Sequence, residues 1–237
     1  MHILSMEGFL FLLRWVHFLA GVTWIGLLYY FNFVQVPFFA ETDPAVRSGA
    51  IQKLVPRALL WFRMSAAMTV LSGVFIIGGR MSQMGAAAFY DSSYGWAITA
   101  GGWLGIIMLA NVWGVIWPNQ KVVIANAVQT AAGGQAIPDA AARGRRAFLA
   151  SRTNTMLSIP MLFFMGAASH LTLFAGATPG AKAAMALCLA LLAVLVEANA
   201  LLGTKGGAKK PLETIGGTIL AGFILAIVLY GLFEVIF

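Results

Sequence analysis

The sequence predicts an all-α protein, a polytopic bundle of transmembrane helices. Three observations predict it. Hydrophobic residues fill 60% of the 237 positions and charged residues only 10%, whereas a soluble domain carries about 25% charged residues. Mean hydropathy is +0.87. Apolar runs long enough to cross a bilayer alternate with short gaps rich in turn residues and charge. Fifteen basic and 8 acidic side chains cannot cover a water-facing surface of this size. A soluble enzyme, a disordered tail and a disulfide scaffold are therefore excluded. The single cysteine, Cys188, lies inside an apolar run, so no internal disulfide can form, and the chain has no CxxCH motif for covalent haem attachment.

A spanning helix needs about 20 mostly apolar residues. About six segments qualify, at residues 10–39, 58–79, 96–117, 154–176, 183–203 and 215–237, and together they make residues 1–237 one integral membrane domain. The gaps at 41–44, 92–95, 133–138, 178–180 and 203–211 carry turn or charge signals. The first run is long for one crossing, which predicts tilt or continuation past the lipid near Pro37. The N-terminus lacks the basic region and small-residue cleavage site of a signal peptide.

Charge sets the expected orientation. Near the first, third and fifth connections lie Arg47, Lys53, Arg57, Arg63, Lys121, Arg143, Arg145, Arg146, Arg152, Lys205, Lys209 and Lys210, 12 of the 15 basic residues. Only Arg14, Arg80 and Lys182 fall on the other side. The positive-inside rule then places both termini outside. The net charge of +7 reads as a cytoplasmic face beside anionic membrane lipid rather than as a nucleic-acid footprint. The connection 118–153 is expected to be cytoplasmic and to hold an interfacial helix or a helical hairpin.

Of three histidines, His2 is terminal, while His17 and His170 fall inside spans. Ionisable groups in a bilayer are costly and mark functional sites. Counted from the outer ends of the first and fourth spans, both sit roughly 9–11 Å deep. Two imidazoles at one depth can ligate one haem iron, and a six-coordinate pair suits electron transfer. Gly21 and Gly166 each stand one turn deeper, where a missing side chain would leave room for a porphyrin edge, and Arg14 lies one turn outward, in reach of a haem propionate. Haem b held by His17 and His170, with Arg14, Gly21 and Gly166 around it, is one reading. Interhelical hydrogen bonding by the two histidines, and snorkelling by Arg14, are the plain alternatives. A copper or zinc site has less support, because there is no Cys/His cluster.

A second polar set maps to the opposite half: Asn32, Gln35, Arg63, Asn111 and Asn154. Such groups must find partners or line a hydrated cavity. They could hold a planar polar heterocycle or a quinone head, with Asn32, Arg63, Asn111 and Asn154 as candidate substrate ligands, or they could tie helices together. Pro160 is expected to bend the fourth helix. Glu197, inside the fifth span, is either part of a proton path or an interhelical contact.

Three stretches carry a family resemblance: HFLAGVTWIGLLYYFNFVQVPFF from His17, NVWGVIWPNQK from Asn111 and SRTNTMLSIPMLFFMGAASH from Ser151. Together they resemble the membrane domain of the bacterial membrane-bound urate hydroxylases, the urate oxidase N-terminal domain. The resemblance runs at least through Leu171. The matching positions are His17, Trp24, Asn32, Arg63, Asn111, Trp117, Asn154 and His170. The family implies a multi-pass protein of the bacterial cytoplasmic membrane with a C-terminal cytochrome c outside it. It implies oxidation of urate to 5-hydroxyisourate, with electrons leaving through that cytochrome. This chain ends at Phe237 without a cytochrome domain, so a separate cytochrome c or an oxidase subunit is the expected electron acceptor. Thr153 stands where the family pattern has a histidine.

Other functions are weighed beside this one. A non-catalytic, haem-binding or structural subunit of a respiratory membrane complex would co-purify with that complex, whereas a lone chain or a homo-oligomer would not. The first-helix histidine pattern also resembles the membrane protoporphyrinogen oxidases. A transporter is disfavoured, since six unrepeated spans lack the paired broken helices of an inverted repeat.

Overall fold

Residues 3–237 are described in the computed structural model, and His2 lies outside them. α1 (Met6–Tyr29) passes through a π-helical turn (Tyr30–Gln35) into α2 (Val36–Glu41). α3 (Pro44–Lys53) turns the chain back into α4 (Val55–Met84). α5 (Ala86–Asp91) links to α6 (Ser93–Ala110), which runs through a second π-helical turn (Asn111–Ile116) into α7 (Trp117–Ala131). α8 (Ala140–His170) returns, and α9 (Pro179–Leu201), the short α10 (Lys210–Glu213) and α11 (Ile215–Ile236) complete the bundle. The described residues form no strand.

Local chemistry sets the helix ends. Ser5, Ser92, Thr178 and Thr214 each accept the backbone N–H three residues on, at 3.0–3.2 Å, and so start α1, α6, α9 and α11. Pro44 and Pro179 occupy first helical positions, where a missing N–H costs nothing. Gly85, at φ +85°, stops α4 in a conformation that a side chain would strain.

Both π-helical turns have the same cause. Pro37 and Pro118 each follow the last π residue by two positions. A proline offers no N–H, and its ring collides with the carbonyl four residues back. A wider turn relieves the collision. The residue before each proline, Val36 and Trp117, bonds five residues back, to the carbonyls of Phe31 and Val112.

Five helical rods are long and apolar enough to cross a membrane: Met6–Glu41, Val55–Met84, Ser93–Ala131, Pro179–Leu201 and Ile215–Ile236. They correspond to five of the six runs expected from the sequence. The run at 154–176 departs from expectation. Its helix ends at His170, Leu171 turns extended, and the backbone N–H of Leu173 donates to Ser93 Oγ at 2.8 Å, which pins the chain to the start of α6. Helix α8 begins fourteen residues earlier than the expected span and is more polar than the other rods, because it packs against helices on several sides. Arg152, Thr153, Asn154, Thr155 and Ser158 are all buried. α8 meets α1 through Tyr29–Ser158 at 2.9 Å and Asn32–Ser151 at 2.8 Å. The connection 118–153 resolves into a helical hairpin of α7 and the first half of α8. Its turn is held by Ile137 N–H donating to Asn126 Oδ1 at 2.7 Å.

Small residues bring the helices close. Ala97, Gly101 and Gly105 are buried along one face of α6, and a Cβ at Gly101 would lie 3.3 Å from the Met161 carbonyl of α8. A Cβ at Gly79 on α4 would lie 2.5 Å from Leu10 Cδ2 on α1.

Candidate functional site

A cavity of about 880 Å³ opens at the basic end of the bundle, within the size range of ligand pockets. The first π-helical turn shapes one wall and directs Asn32 and Gln35 toward it. Asn32 Nδ2 donates to the Leu28 carbonyl and to Ser151 Oγ, both at 2.8 Å. Gln35 Oε1 is buried without a donor. Phe31, Phe39, Phe62 and Phe148 supply flat apolar surface, Gln120 and Asn126 further amides, and Ser48 and Ser151 hydroxyls. Arg47 and Arg145 also line the cavity, and no carboxylate, histidine or cysteine does. Such a lining stacks planar rings, exchanges hydrogen bonds with carbonyl and N–H edges, and favours negative charge.

The wall at Arg145 is tied down. Arg145 Nη1 donates to Glu213 Oε2 at 2.9 Å, Nη2 pairs with Oε1, and Nη2 also reaches the Thr204 carbonyl at 3.1 Å. This bidentate contact holds the Glu213 carboxyl below the usual carboxylate range. The pairing therefore stabilises the 202–213 segment above the unfolded pKa, about 4.3, and is lost as pH falls through the lower folded value. Hydrogen exchange in detergent is expected to show that segment modestly more protected from about pH 7 down to about pH 4.5 than on further acidification, and Glu213→Gln to lack that pH-dependent gain. Loss of that gain already near pH 6 would contradict the assignment.

Of the four expected substrate ligands, only Asn32 reaches this cavity. Arg63 lies outside it, with its guanidinium 3.8 Å from the Trp117 ring centroid, while Trp113 Nε1–H donates to the Arg63 carbonyl at 3.2 Å. Asn111 and Asn154 are brought together in a closed knot. Asn111 Nδ2 donates to Asn154 Oδ1 at 3.0 Å and to Glu197 Oε1 at 2.8 Å, and Asn154 Nδ2 donates to the Met108 carbonyl at 2.9 Å. Glu197 is thus an interhelical partner that ties α9 to α6 and α8.

The histidines lie in the other half. Tyr29 and Ser158 each stand twelve residues from His17 and His170, respectively. Both histidines are therefore about 18 Å along their helices from one shared hydrogen bond, at matched depth. His17 packs on α4, where Gly73 leaves room for its ring and Ser72 Oγ lies 3.2 Å from Nδ1. Ser72 already donates its hydroxyl proton to the Met68 carbonyl at 2.7 Å. With that proton on Met68, Ser72 accepts from Nδ1–H in the tautomer that carries the ring lone pair on Nε2, and the Thr69 backbone is a further partner of the ring. A hydrogen bond from one ring nitrogen to a neighbouring oxygen orients histidines that bind a metal through the other. His170 is exposed at the last residue of α8. Arg14 is half-buried one turn outward of His17. Gly21 borders Thr69 of α4, whose Cγ2 lies 3.8 Å from a Cβ built there, an ordinary contact, whereas Gly166 is exposed with nothing within 4 Å. The described residues hold no cluster of three or more His, Cys, Asp or Glu suited to a bare metal ion.

The sequence did not single out Phe148 or Ser151, nor Arg47, Arg145 and Arg152 beyond their place among the loop charges. The spacing of Arg145, Phe148 and Arg152 at i, i+3 and i+7 was a readable sign that they share a helix face. Ser72 as the partner of His17, 55 residues away, left no such sign.

The family model described as urate oxidase N-terminal matches residues 81–230, more than half of the chain, and the chain belongs to that family. The match takes in Asn111, the α8 wall of the cavity and His170, while His17 and Asn32 precede it. No curated protein and no solved structure matches the chain.

Proposed function

We propose that, as a member of this family, the chain is a membrane-integral redox protein of the urate hydroxylase type, and that the basic-end cavity receives urate. The observation that carries the reading is the cavity lining: phenyl faces, amides and arginine with no acid among them. Urate is planar, presents alternating N–H and C=O edges, and is an anion at neutral pH. The phenyl rings would stack on the purine, Asn32, Gln35, Gln120 and Asn126 would meet its polar edges, and arginine would balance its charge. Oxidation to 5-hydroxyisourate adds one water and releases two electrons and two protons. The open cavity admits that water. The cavity lining offers no side chain that titrates near neutrality, so its task is to bind and orient.

By the positive-inside rule the cavity faces the cytoplasm and the histidines lie near the outer face. His17, with Nδ1 held by Ser72 and the ring lone pair on Nε2, and His170 would be the axial ligands of a haem b, with Arg14 near a propionate. A haem so held supplies one-electron redox chemistry, and a c-type cytochrome or oxidase subunit outside would be the acceptor. His17 lies about 22 Å along α1 from Asn32, with the buried Trp24 between them, so this reading requires electrons to cross the bundle.

The test is a reduced-minus-oxidised optical spectrum of detergent-purified protein, for wild type, His17→Ala and His170→Ala, with urate among the reductants. A b-type band lost in both variants and reduced by urate is the expected result. A featureless spectrum from folded, haem-supplied protein would remove the haem, and a band that urate leaves oxidised would remove the enzyme. A second reading, a non-catalytic subunit of a larger membrane complex, is favoured by the lack of any acid–base residue in the cavity. It predicts co-purification with that complex in mild detergent.

A further inference from the structure

Arg152 is 2% exposed, and its Nε and Nη1 have no hydrogen-bond acceptor. The ion pairs of the described residues are Arg143–Asp139, Arg145–Glu213 and Lys182–Asp91, and none includes it. Glu213 acts on Arg152 through space, but both Glu213 oxygens are taken by Arg145. A guanidinium cannot shed its proton to escape burial. A buried charge without a paired anion is strongly unfavourable, so the fold keeps Arg152 at a cost that an incoming anion would offset.

The same stretch of α8 shows where that anion would come from. The Phe148 ring lies within reach of two guanidiniums, 5.2 Å from Arg152 Cζ and 5.4 Å from Arg145 Cζ. Phe148, Arg145 and Ser151 all line the basic-end cavity. Phe148 thus touches both Arg152 and the cavity. Arg145 cannot serve as well, because Glu213 already neutralises it.

We propose that Arg152 is the charge-recognition residue of this cavity, admitting planar organic anions and rejecting neutral rings of the same shape. The proposal rests on the reading that the cavity receives the substrate. It makes Arg152 a specificity residue: the N–H groups of its two unpartnered nitrogens would face a deprotonated edge while the ring stacks on Phe148. A neutral purine would leave the buried charge uncompensated, and that deficit is the source of discrimination.

The experiment is equilibrium binding of urate, and of hypoxanthine as a planar purine neutral at pH 7, to the full detergent-purified chain. Wild type, Arg152→Met and Arg152→Lys are compared, and each is also melted with and without urate. Wild type is expected to bind urate and to discriminate against hypoxanthine. Arg152→Met is expected to lose urate affinity by about 10- to 100-fold, the loss of a charged hydrogen bond. It should also lose the thermal shift that urate gives, while melting without ligand at or above the wild-type temperature, because an uncompensated buried charge has gone. A purely structural arginine would lower the ligand-free melt instead. If Arg152→Met fails to fold, Arg152→Lys decides: about a tenfold loss from the missing fork supports the proposal, and unchanged affinity overturns it. Wild-type urate binding that survives in Arg152→Met overturns the proposal alone, as does loss of a co-purifying anionic phospholipid with urate binding intact. Absence of urate binding by wild type overturns the cavity reading and this proposal together.

Discussion

Gly222→Ala is expected to destabilise the bundle by about 2–3 kcal/mol, the upper range for forcing volume into a packed interface. Pro160 lies within α8 and removes the N–H that would bond the Met156 carbonyl. α11 packs against that carbonyl, and Gly222 is buried at the contact. A Cβ there would lie 2.8 Å from Met156 O and 2.5 Å from Ile159 Cδ1. The isoleucine can turn aside, but the carbonyl is backbone and cannot. The helices must therefore separate, and with them the Phe164–Phe233 ring contact at 5.0 Å, two to three turns along. Gly216→Ala and Gly231→Ala on the same helix meet nothing within 4 Å and serve as controls. They should be neutral or slightly stabilising, as glycine is a poor helix residue. Thermal unfolding in detergent checks this, and equal melting temperatures for the three variants would refute it.

Asn154→Ala is expected to cost about 2–3 kcal/mol through the knot of α6, α8 and α9. Asn154 is fully buried, accepts from Asn111 and donates to the Met108 carbonyl. Truncation removes the side-chain donor to that carbonyl, leaves Asn111 without its Asn154 acceptor in an apolar interior, and opens a void. Asn111 keeps Glu197 as acceptor, so the loss is confined to α8 and its neighbour. A double-mutant cycle of Asn111→Ala with Asn154→Ala should show coupling of about 0.5–2 kcal/mol. Additive effects would mean that the two amides act separately.

Much of this architecture is legible in the sequence. Five of the six predicted apolar runs are helical rods long and apolar enough to cross a membrane, and Pro37, where the first run was expected to pass beyond the lipid, is where α1 leaves its π-helical turn. The matched depth of His17 and His170 follows from counting residues. The three motif stretches point to the urate oxidase N-terminal family, to which the chain belongs. The site was harder to read. Asn32, Arg63, Asn111 and Asn154 share one half of the bundle, as expected, but depth alone cannot say which way each side chain faces. Asn32 turns into a cavity, Arg63 onto Trp117, and the other two toward each other.

What the sequence by itself determined is therefore what depends on one segment at a time. Membrane class, the approximate places of five helical rods, and depth along each helix follow from hydropathy and the helical rise. Only the tertiary structure decided that the most polar long helix, α8, is enclosed by the others. Only it joined Ser72 to His17, closed Asn111 on Asn154 and Glu197, and left Arg152 buried beside Phe148 without an anion. The physical reason is that a polar group in an apolar bundle is satisfied by whichever helix packs beside it. These partners lie 43 to 86 residues apart, where no local periodicity records them.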